Sequence, residues 1–242
     1  IEPSAGEVHI NDRNITKMGH DDLVQFRLKH MSMVFQSFAL MPHLTVLENA
    51  AFGLALAGES RQKQKDRAMA ALSQVGLEGW EDQYPKQLSG GMQQRVGLAR
   101  ALAVEPDIML MDEAFSALDP LIRTEMQDEL LKLQENNQRT IVFISHDLDE
   151  ALRIGDRIAI MEGGRVVQVG TPEDILQNPA DDYVRAFFRG VDPTNVISAG
   201  EIVNNNYPTI IKTKKGGIRA TLEMLNSKDY NHGYVLNSNR QL

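Results

Sequence analysis

The sequence predicts an α/β fold, because strand-like and helix-like segments alternate along most of the chain. Two continuous apolar runs, "IMLM" at 108–111 and "IVFI" at 141–144, are typical of strands buried on both faces of a parallel sheet. Both runs end abruptly in polar residues, and open α/β sheets bind ligands beyond the carboxyl ends of their strands. The two runs therefore predict both the sheet and the edge where a site would lie.

The elements before the first apolar run follow from local signals. Residues 6–16 predict a hairpin around an Asn-Asp-Arg-Asn turn, and residues 31–36 predict a strand. Thr45 and Glu48 have the spacing of a capping box, which opens a helix. Residues 61–75 carry alanine, leucine and valine on one helical face, so they predict a second helix.

The later elements are predicted in the same way. The helix after Ser89 has one apolar face, formed by Met92, Val96, Ala99, Leu102 and Ala103. Asp119 and Pro120 are a favourable N-cap and first residue for the helix that separates the two apolar strands. A short helix follows the second of these strands. Residues 157–170 predict a hairpin around Glu-Gly-Gly, and two short helices follow, the first after Pro172.

Composition excludes several classes of protein. The chain has 242 residues, of which 42% are hydrophobic, as in an ordinary globular protein. The net charge of −8 argues against a general nucleic-acid binder, which would show a basic face. Without cysteine, the chain has neither disulfides nor cysteine-ligated metals. No apolar run approaches the roughly 20 residues that span a bilayer, and no signal peptide is visible. Because the first residue is Ile1, we expect natural sequence to precede it.

Polar side chains follow both apolar strands. Asp112 and Glu113 follow the first strand, and Ser145, His146 and Asp147 follow the second. An aspartate in this position can hold Mg²⁺ on a nucleotide, and the adjacent carboxylate could polarise an attacking water. The alternative, an acidic loop at a strand end, is about equally favoured by this motif alone.

Three other polar residues each have a functional and a plain interpretation. His146 could hydrogen-bond a γ-phosphate or the attacking water, or could be satisfied by local backbone. A Ser/His/Asp triad is rejected, because triad residues are seldom adjacent in sequence. Gln36 could contact a metal or water, although taken alone it is more simply a surface residue. Asp119 is most simply a helix N-cap, and that role is compatible with a second one.

The stretch "LSGGMQQR", residues 88–95, is more specific. Ser89 is a good N-cap, and a glycine-rich helix start invites a phosphate. A capped helix after a glycine turn explains Ser89 and one glycine, but neither the second glycine nor Gln93. The 242 residues contain no G-x-x-x-x-G-K-S/T loop, which usually cradles nucleotide phosphates.

These residues resemble the motifs of ATP-binding-cassette (ABC) ATPases. "LSGGMQQR" resembles the family signature, "FQ" the Q-loop, "IMLMDE" Walker B, "SALD" the D-loop and "ISH" the switch histidine. The five motifs occur in the family's order. The resemblance implies a P-loop NTPase-like mixed sheet with a helical signature subdomain at about 37–103.

The resemblance also implies site roles, with ATP and Mg²⁺ as cofactors. It makes Asp112 the Mg²⁺ carboxylate and Glu113 the residue that polarises water. His146 becomes the γ-phosphate switch, Gln36 links the metal to the membrane partner, and Asp119 lies at a dimer seam. The signature contacts would be Ser89, Gly90, Gly91 and Gln93.

A closer resemblance concerns the subfamily. "DEAFSALDPLIR" and "NPADDYVRAFFRGVD" resemble the ATPase subunits of osmoprotectant (glycine betaine/proline) importers, in which a pair of CBS domains follows the ATPase. This implies an ATPase domain at 1–190. It also implies a linker and the start of a truncated CBS-like α+β segment at 191–242, which we expect to be poorly ordered or packed elsewhere.

The implied partners are a second ATPase copy in a homodimer and a membrane permease, contacted through the segment between Gln36 and Phe52. A substrate-binding protein would act indirectly through the permease, and nucleic acid is not expected. The implied location is cytoplasmic, peripheral on the inner face of the plasma membrane. The absence of cysteine fits this location.

One departure from the family bears on activity. The resemblance implies that the adenine-stacking loop and the Walker A loop lie upstream of Ile1, so the chain alone is expected to be an inactive fragment. The alternatives left open are an importer ATPase for another small polar solute, a non-transport ABC ATPase, and a catalytically dead subunit that lends only its signature turn.

Overall fold

The computed structural model describes residues 3–136, 138–189, 209–211 and 234–236. The strands are β1 (His9–Ile10), β2 (Arg13–Asn14), β3 (Met31–Val34), β4 (Ile108–Asp112), β5 (Thr140–Ile144), β6 (Ile158–Glu162), β7 (Arg165–Gly170), β8 (Thr209–Ile211) and β9 (Tyr234–Leu236). The helices are α1 (His20–His30), α2 (Val46–Leu56), α3 (Arg61–Gln74), α4 (Gly90–Ala103), α5 (Pro120–Asn136), α6 (Leu148–Ile154), α7 (Pro172–Gln177) and α8 (Asp182–Phe187).

A parallel sheet with the order β3-β4-β5 forms the centre of the first part of the chain. In this sheet Val34 lies opposite Met111, and Asp112 lies opposite Ile144. The carboxyl ends of all three strands therefore meet at one edge. The sheet confirms the α/β prediction and the two strands that the apolar runs predicted.

One expectation about the sheet is wrong. β4 buries Met109 and Met111, but β5 alternates, with Val142 and Ile144 exposed at 49% and 57%. Ile141 and Phe143 pack on the core from the other face. β5 is an edge strand of the described sheet, and no described element covers its outer face. A continuous apolar run therefore does not mean burial on both faces here.

Helices α2, α3 and α4 pack together as a helical unit beside the sheet. Thr45 Oγ1 accepts from the Glu48 backbone N–H, and the Glu48 carboxylate accepts from the Thr45 N–H, so the predicted capping box is present. The three helices bury Ala50, Leu54, Ala68, Leu72, Val96 and Ala99 against one another and the sheet. This unit holds the loop after β3 and the helix start after Ser89.

Two hairpins complete this part of the chain. β1 and β2 pair across a turn in which Asn11 and Asp12 have positive φ, a conformation that asparagine and aspartate tolerate. β6 and β7 pair across Gly163 and Gly164, which also have positive φ. Both hairpins lie where the turn residues predicted them.

The chain divides into two compact units, residues 1–189 and residues 190–242. In the second unit, the described strands β8 and β9 are parallel partners. The predicted linker and most of the predicted CBS-like segment lie outside the described residues. Across the part of the chain that the structure describes, no helix is long and apolar enough to cross a membrane.

Candidate functional site

The sheet edge brings Gln36 to Glu113. Gln36 follows β3 and Glu113 follows β4, and the two strands are parallel neighbours. Gln36 Nε2 donates to Glu113 Oε2 at 2.8 Å and to Ser116 Oγ at 3.2 Å. The sequence pattern pointed to Gln36 and Glu113 separately, and the strand order explains why they meet.

The backbone of Glu113 is held in an unusual conformation. Its φ is +44°, in the left-handed region that non-glycine residues rarely adopt. Its N–H donates to the Ile144 carbonyl at 2.9 Å, and its own carbonyl accepts from Ser116 Oγ at 2.9 Å. Strained residues of this kind persist only where neighbours fix them. The two hydrogen bonds fix the Glu113 backbone at the sheet edge and so limit the directions that its side chain can take.

His146 approaches Glu113 from the other side. His146 Nδ1 lies 3.4 Å from Glu113 Oε1, while Gln36 engages Oε2. The imidazole is 70% exposed, so it has room to turn toward a ligand. Gln36, Glu113 and His146 therefore form one cluster at the open edge of the sheet, which we call the strand-end cluster.

Asp112 has the chemistry of a cation ligand. It is exposed at the end of β4, and its carboxylate takes part in no hydrogen bond found among the described residues. Within the described part of the chain, the Gln36 oxygen Oε1 also has no hydrogen-bond partner, since both bonds of this side chain run through Nε2. The described residues contain no group of three His, Cys, Asp or Glu residues that could hold a metal alone. One carboxylate and one amide oxygen instead suit Mg²⁺, which keeps waters and shares ligands with substrate phosphates.

The glycine turn before α4 is open to solvent at its first residues. Ser89 caps the helix by accepting from the Met92 N–H at 3.3 Å, as predicted. Gln93 Nε2 donates to the Leu88 carbonyl at 3.2 Å, which gives Gln93 a role in closing the turn. The hydrogen bonds of these side chains lie within the turn, and its first backbone N–H groups point along the start of the helix.

Gly90 and Gly91 differ in how far packing requires a glycine at their position. A Cβ on Gly91 would lie 2.7 Å from Ile122 Cγ2, so only glycine allows α4 to approach α5 this closely. A Cβ on Gly90 would meet nothing nearer than the Phe38 ring at 3.9 Å. Packing therefore explains Gly91 but not Gly90, and Gly90 leaves open space at the helix start.

Arg100 holds the loop after Gln36, a role that the sequence did not indicate. Its Nη1 donates to the Ala39 carbonyl at 2.6 Å and its Nη2 to the Phe38 carbonyl at 3.0 Å. Phe38 and Ala39 both have positive φ, so the guanidinium stabilises a strained turn. Burial lowers the pKa of Arg100 from its usual value.

The continuation of this loop is held by Asn49, which is fully buried. Its side-chain amide donates to the carbonyls of Met41, Leu44 and Thr45, and its Oδ1 accepts from the Met41 N–H. Residues 38–45 are thus fixed to the helical unit, while Gln36 is bonded to the sheet. Asp119 caps α5 by accepting from the Ile122 N–H at 3.2 Å, which confirms the N-cap prediction.

Comparisons with known proteins agree with this arrangement. A profile of the ABC transporter family matches residues 1–116. A dimeric ATP-binding cassette in a post-hydrolysis state, bound to ADP and phosphate, superposes with a TM-score of 0.63 at 35% identity. The alignment covers 71% of this chain and 75% of that one. A second dimeric bacterial ABC transporter cassette gives the same TM-score at 36% identity.

A parallel sheet with carboxylates at its edge, beside a helical unit with a capped glycine turn, defines the class of ATP-binding cassettes. The chain belongs to the ABC transporter ATP-binding family. Its relatives include the glycine betaine/proline betaine transport ATP-binding protein ProV of Salmonella typhimurium, 61% identical over 98% of this chain. The glycine betaine transport ATP-binding protein OpuAA of Bacillus subtilis is 53% identical over 100% of it. The chain spans 59% and 57% of the length of these two relatives.

Proposed function

We propose that this protein is the ATP-hydrolysing subunit of an ABC importer that takes up a quaternary-amine osmoprotectant such as glycine betaine. The observation that carries the proposal is the strand-end cluster, in which Glu113 lies between Gln36 and His146. The solute class follows from the names of the relatives, because an importer ATPase does not itself touch the transported solute.

In this proposal, Glu113 orients and polarises the water that attacks the terminal phosphate of ATP. A carboxylate fixed at its backbone and solvated at its side chain suits this task. His146, exposed next to Glu113, donates a hydrogen bond to the transferring phosphoryl group. Phosphoryl transfer depends mainly on positioning and electrostatics, which are what these residues supply.

Asp112 and the Gln36 amide oxygen are the residues that would hold Mg²⁺. When bound, Mg²⁺ neutralises charge on the phosphate oxygens. Gln36 also links this site to the loop that follows it. Arg100 and Asn49 attach residues 38–45 of that loop to the helical unit, so a displacement of the helical unit would reach Gln36.

The glycine turn at residues 89–91 before α4, which we call the signature turn, acts on nucleotide held by a second copy of the protein. Ser89 Oγ and the backbone N–H groups of Gly90 and Gly91 offer donors at the positive end of α4. Gln93 fixes the turn that presents them, and Asp119 lies beside the seam between the copies. The dimeric state of two structurally similar cassettes supports a homodimer.

The membrane permease docks on the segment from Gln36 to Phe52. Gln36, Pro42 and His43 are exposed in this segment, while Val46 and Asn49 are buried, so it combines a rigid base with an accessible face.

The periplasmic or extracellular substrate-binding protein contacts only the permease. The ATPase is therefore peripheral on the cytoplasmic face, and its net charge of −8 suits no nucleic-acid partner.

The test is made in the full-length natural protein, reconstituted with its permease in proteoliposomes. We expect glycine betaine uptake that requires ATP, and a Glu113→Gln variant that retains ATP binding while turnover falls by about 10²–10⁴-fold. An Asp12→Asn variant, changed in the β1–β2 turn, is the matched control. Uptake that Glu113→Gln leaves unchanged would overturn the proposal. ATP turnover without uptake would instead favour a different solute or a non-transport ABC ATPase.

A further inference from the structure

A cluster of charged and polar side chains lies behind the strand-end cluster and is not used by the proposed reaction. Its centre is Arg123, in the first turn of α5, and Glu150, in α6. Glu150 is only 4% exposed. Carboxylates are seldom buried without partners, so the groups that bond Glu150 are part of the reason for its position. Its carboxylate accepts from Gln127 Nε2 at 3.2 Å and from Ser145 Oγ at 2.6 Å.

On one side, Arg123 holds the turn between β4 and α5. Its Nη2 donates to the carbonyls of Ser116 and Leu118, both at 3.3 Å. Leu118 immediately precedes Asp119, whose carbonyl accepts from the Arg123 backbone N–H at 2.9 Å. The guanidinium therefore fixes the course of the chain just before the residue proposed to lie at the dimer seam.

On the other side, Arg123 reaches the segment after β5. Its Nη1 lies 3.2 Å from Asp147 Oδ2, and its Nε lies 3.6 Å from Glu150 Oε1. One guanidinium thus joins the turn before α5 to the start of α6. Its planar fork suits this task, because it directs several donors at once.

The residues on both sides of His146 are held by this cluster. Ser145 Oγ donates to Glu150 and accepts from the Asp147 N–H at 2.9 Å. Asp147 Oδ1 accepts from the N–H groups of Asp149 and Glu150 and so caps α6. His146 itself remains exposed, with its backbone fixed before and after it.

We propose that Arg123 is a positioning residue that keeps the turn at Ser116–Asp119 and the segment at Ser145–Asp147 in one fixed relation. The inference deepens the proposed function, because Asp119 and His146 are both residues of the proposed ATP site. Through this ion-paired hub, the residue at the dimer seam and the residue at the terminal phosphate move together. Arg123 touches no substrate.

The test compares Arg123→Lys with Arg153→Lys in the full-length protein. Arg153 contacts Asp128 at 2.6 Å and Gln127 at 3.4 Å. It reaches the cluster only through Gln127 and, among the described residues, bonds neither of the two segments, so it is a matched control. A lysine cannot reproduce the fork that donates to two carbonyls and to the Asp147 carboxylate while its charge faces Glu150. Hydrogen exchange followed by mass spectrometry reports on the two segments, and steady-state kinetics report on ATP turnover.

For Arg123→Lys we expect exchange at 115–119 and at 144–148 to accelerate together, by about tenfold or more. We also expect kcat to fall by about tenfold with KM for ATP unchanged, because misplaced groups cost turnover rather than nucleotide binding. Arg153→Lys should leave both exchange rates, kcat and KM within about twofold of the wild type. Unchanged exchange in Arg123→Lys, or faster exchange in one segment only, would overturn the proposal.

A milder variant covers the case in which Arg123→Lys does not fold. Glu150→Gln keeps the size of the side chain but removes the charge that faces Arg123. We expect it to loosen both segments as well, and a loss confined to 144–148 would contradict the proposed link. Wild-type protein that hydrolyses no ATP would refute the proposed function, while hydrogen exchange would still decide the role of Arg123.

Discussion

Gln36 and Glu113 are 77 positions apart in the sequence, yet Gln36 Nε2 donates to Glu113 Oε2 at 2.8 Å. The bond joins the ends of two neighbouring parallel strands. Because Gln36 continues into a loop held by the helical unit, this bond is one of the links between the helical unit and the sheet. A displacement of the helical unit would therefore shift the Gln36 side chain and, through this hydrogen bond, the Glu113 carboxylate.

A first prediction concerns the three-way link among Gln36, Glu113 and Ser116. Gln36→Ala and Ser116→Ala should each destabilise the protein, and their effects should not add, because Ser116 Oγ accepts from the Gln36 amide. Residues in one hydrogen-bond network commonly couple by about 0.5–3 kcal/mol. Urea unfolding of the two single variants and the double variant measures this coupling. Ser37→Ala, at the exposed next position, serves as the control, and additive effects would mean that the link is absent in solution.

A second prediction concerns Arg100 and the strained turn at Phe38 and Ala39. Arg100→Lys should lower the free energy of unfolding by about 1–3 kcal/mol, because one of the two partly buried carbonyls loses its charged donor. Limited proteolysis should then cut near residues 38–40 faster than in the wild type. Arg95→Lys is the matched control, since Arg95 lies on the same helix and donates to the Val75 carbonyl at 2.9 Å. Equal cleavage in both variants would show that Arg100 does not hold the turn.

Sequence signals that act between near neighbours in the chain predicted much of the fold, and features set by distant contacts were missed. Capping boxes, turn glycines and apolar runs are local, and they predicted α2, α4, β4 and both hairpins. α1 was missed because it buries only Phe26 and so lacks an apolar stripe. The exposure of β5 was missed because an apolar run does not report which of its faces is covered.

In the site, too, residues in local motifs were predicted and residues that act through distant contacts were not. Glu113 and Gln36 were found because each belongs to a recognisable motif, and the ends of adjacent parallel strands must lie close together. The roles of Arg100 and Arg123 were not found, because each depends on partners brought near by tertiary packing. These partners are backbone carbonyls for Arg100 and the carboxylates of Asp147 and Glu150 for Arg123. Arg100 bonds a carbonyl 61 positions away, and a carbonyl acceptor leaves no trace in residue type.

A third prediction concerns pH and Glu129. Glu129 Oε2 lies 2.6 Å from Arg95 Nη1, yet burial raises the pKa of Glu129 above 4.5, so desolvation outweighs the ion pair. A carboxyl whose pKa is raised in the folded state binds protons more tightly there than in the unfolded chain. Its contribution to stability is therefore present below pH 4.5 and is lost as the pH rises through the folded-state pKa.

Glu129→Gln removes this dependence. The amide keeps an oxygen for Arg95 but carries no charge, so we expect urea-unfolding midpoints that change less between pH 4.5 and 7 than in the wild type. At pH 7 the variant should be at least as stable as the wild type. Glu125→Gln, on the exposed side of α5, is the control. A variant that is less stable at pH 7, with an unchanged pH profile, would show that the ion pair outweighs burial.

A fourth prediction separates the two glycines of the signature turn. Gly91→Ala should destabilise the protein by about 1–3 kcal/mol, because the new Cβ would lie 2.7 Å from Ile122 Cγ2 and the helices must shift. Gly90→Ala meets nothing closer than 3.9 Å and should leave the free energy of unfolding unchanged or slightly improved. If the turn serves a phosphate, Gly90→Ala should still lower ATP turnover, since its methyl group would occupy open space at the start of the helix.

The cause of the Gly91 effect can be isolated with a second substitution. Ile122→Ala removes the methyl group that Gly91→Ala would strike, so the double variant should recover part of the stability that the two single changes lose separately. Thermal unfolding and ATP turnover are measured on the same four proteins. Because Gly91→Ala acts through packing, the double variant should regain turnover along with stability. A double variant that regains stability but not turnover would show that Gly91, like Gly90, owes its identity to the ligand rather than to α5.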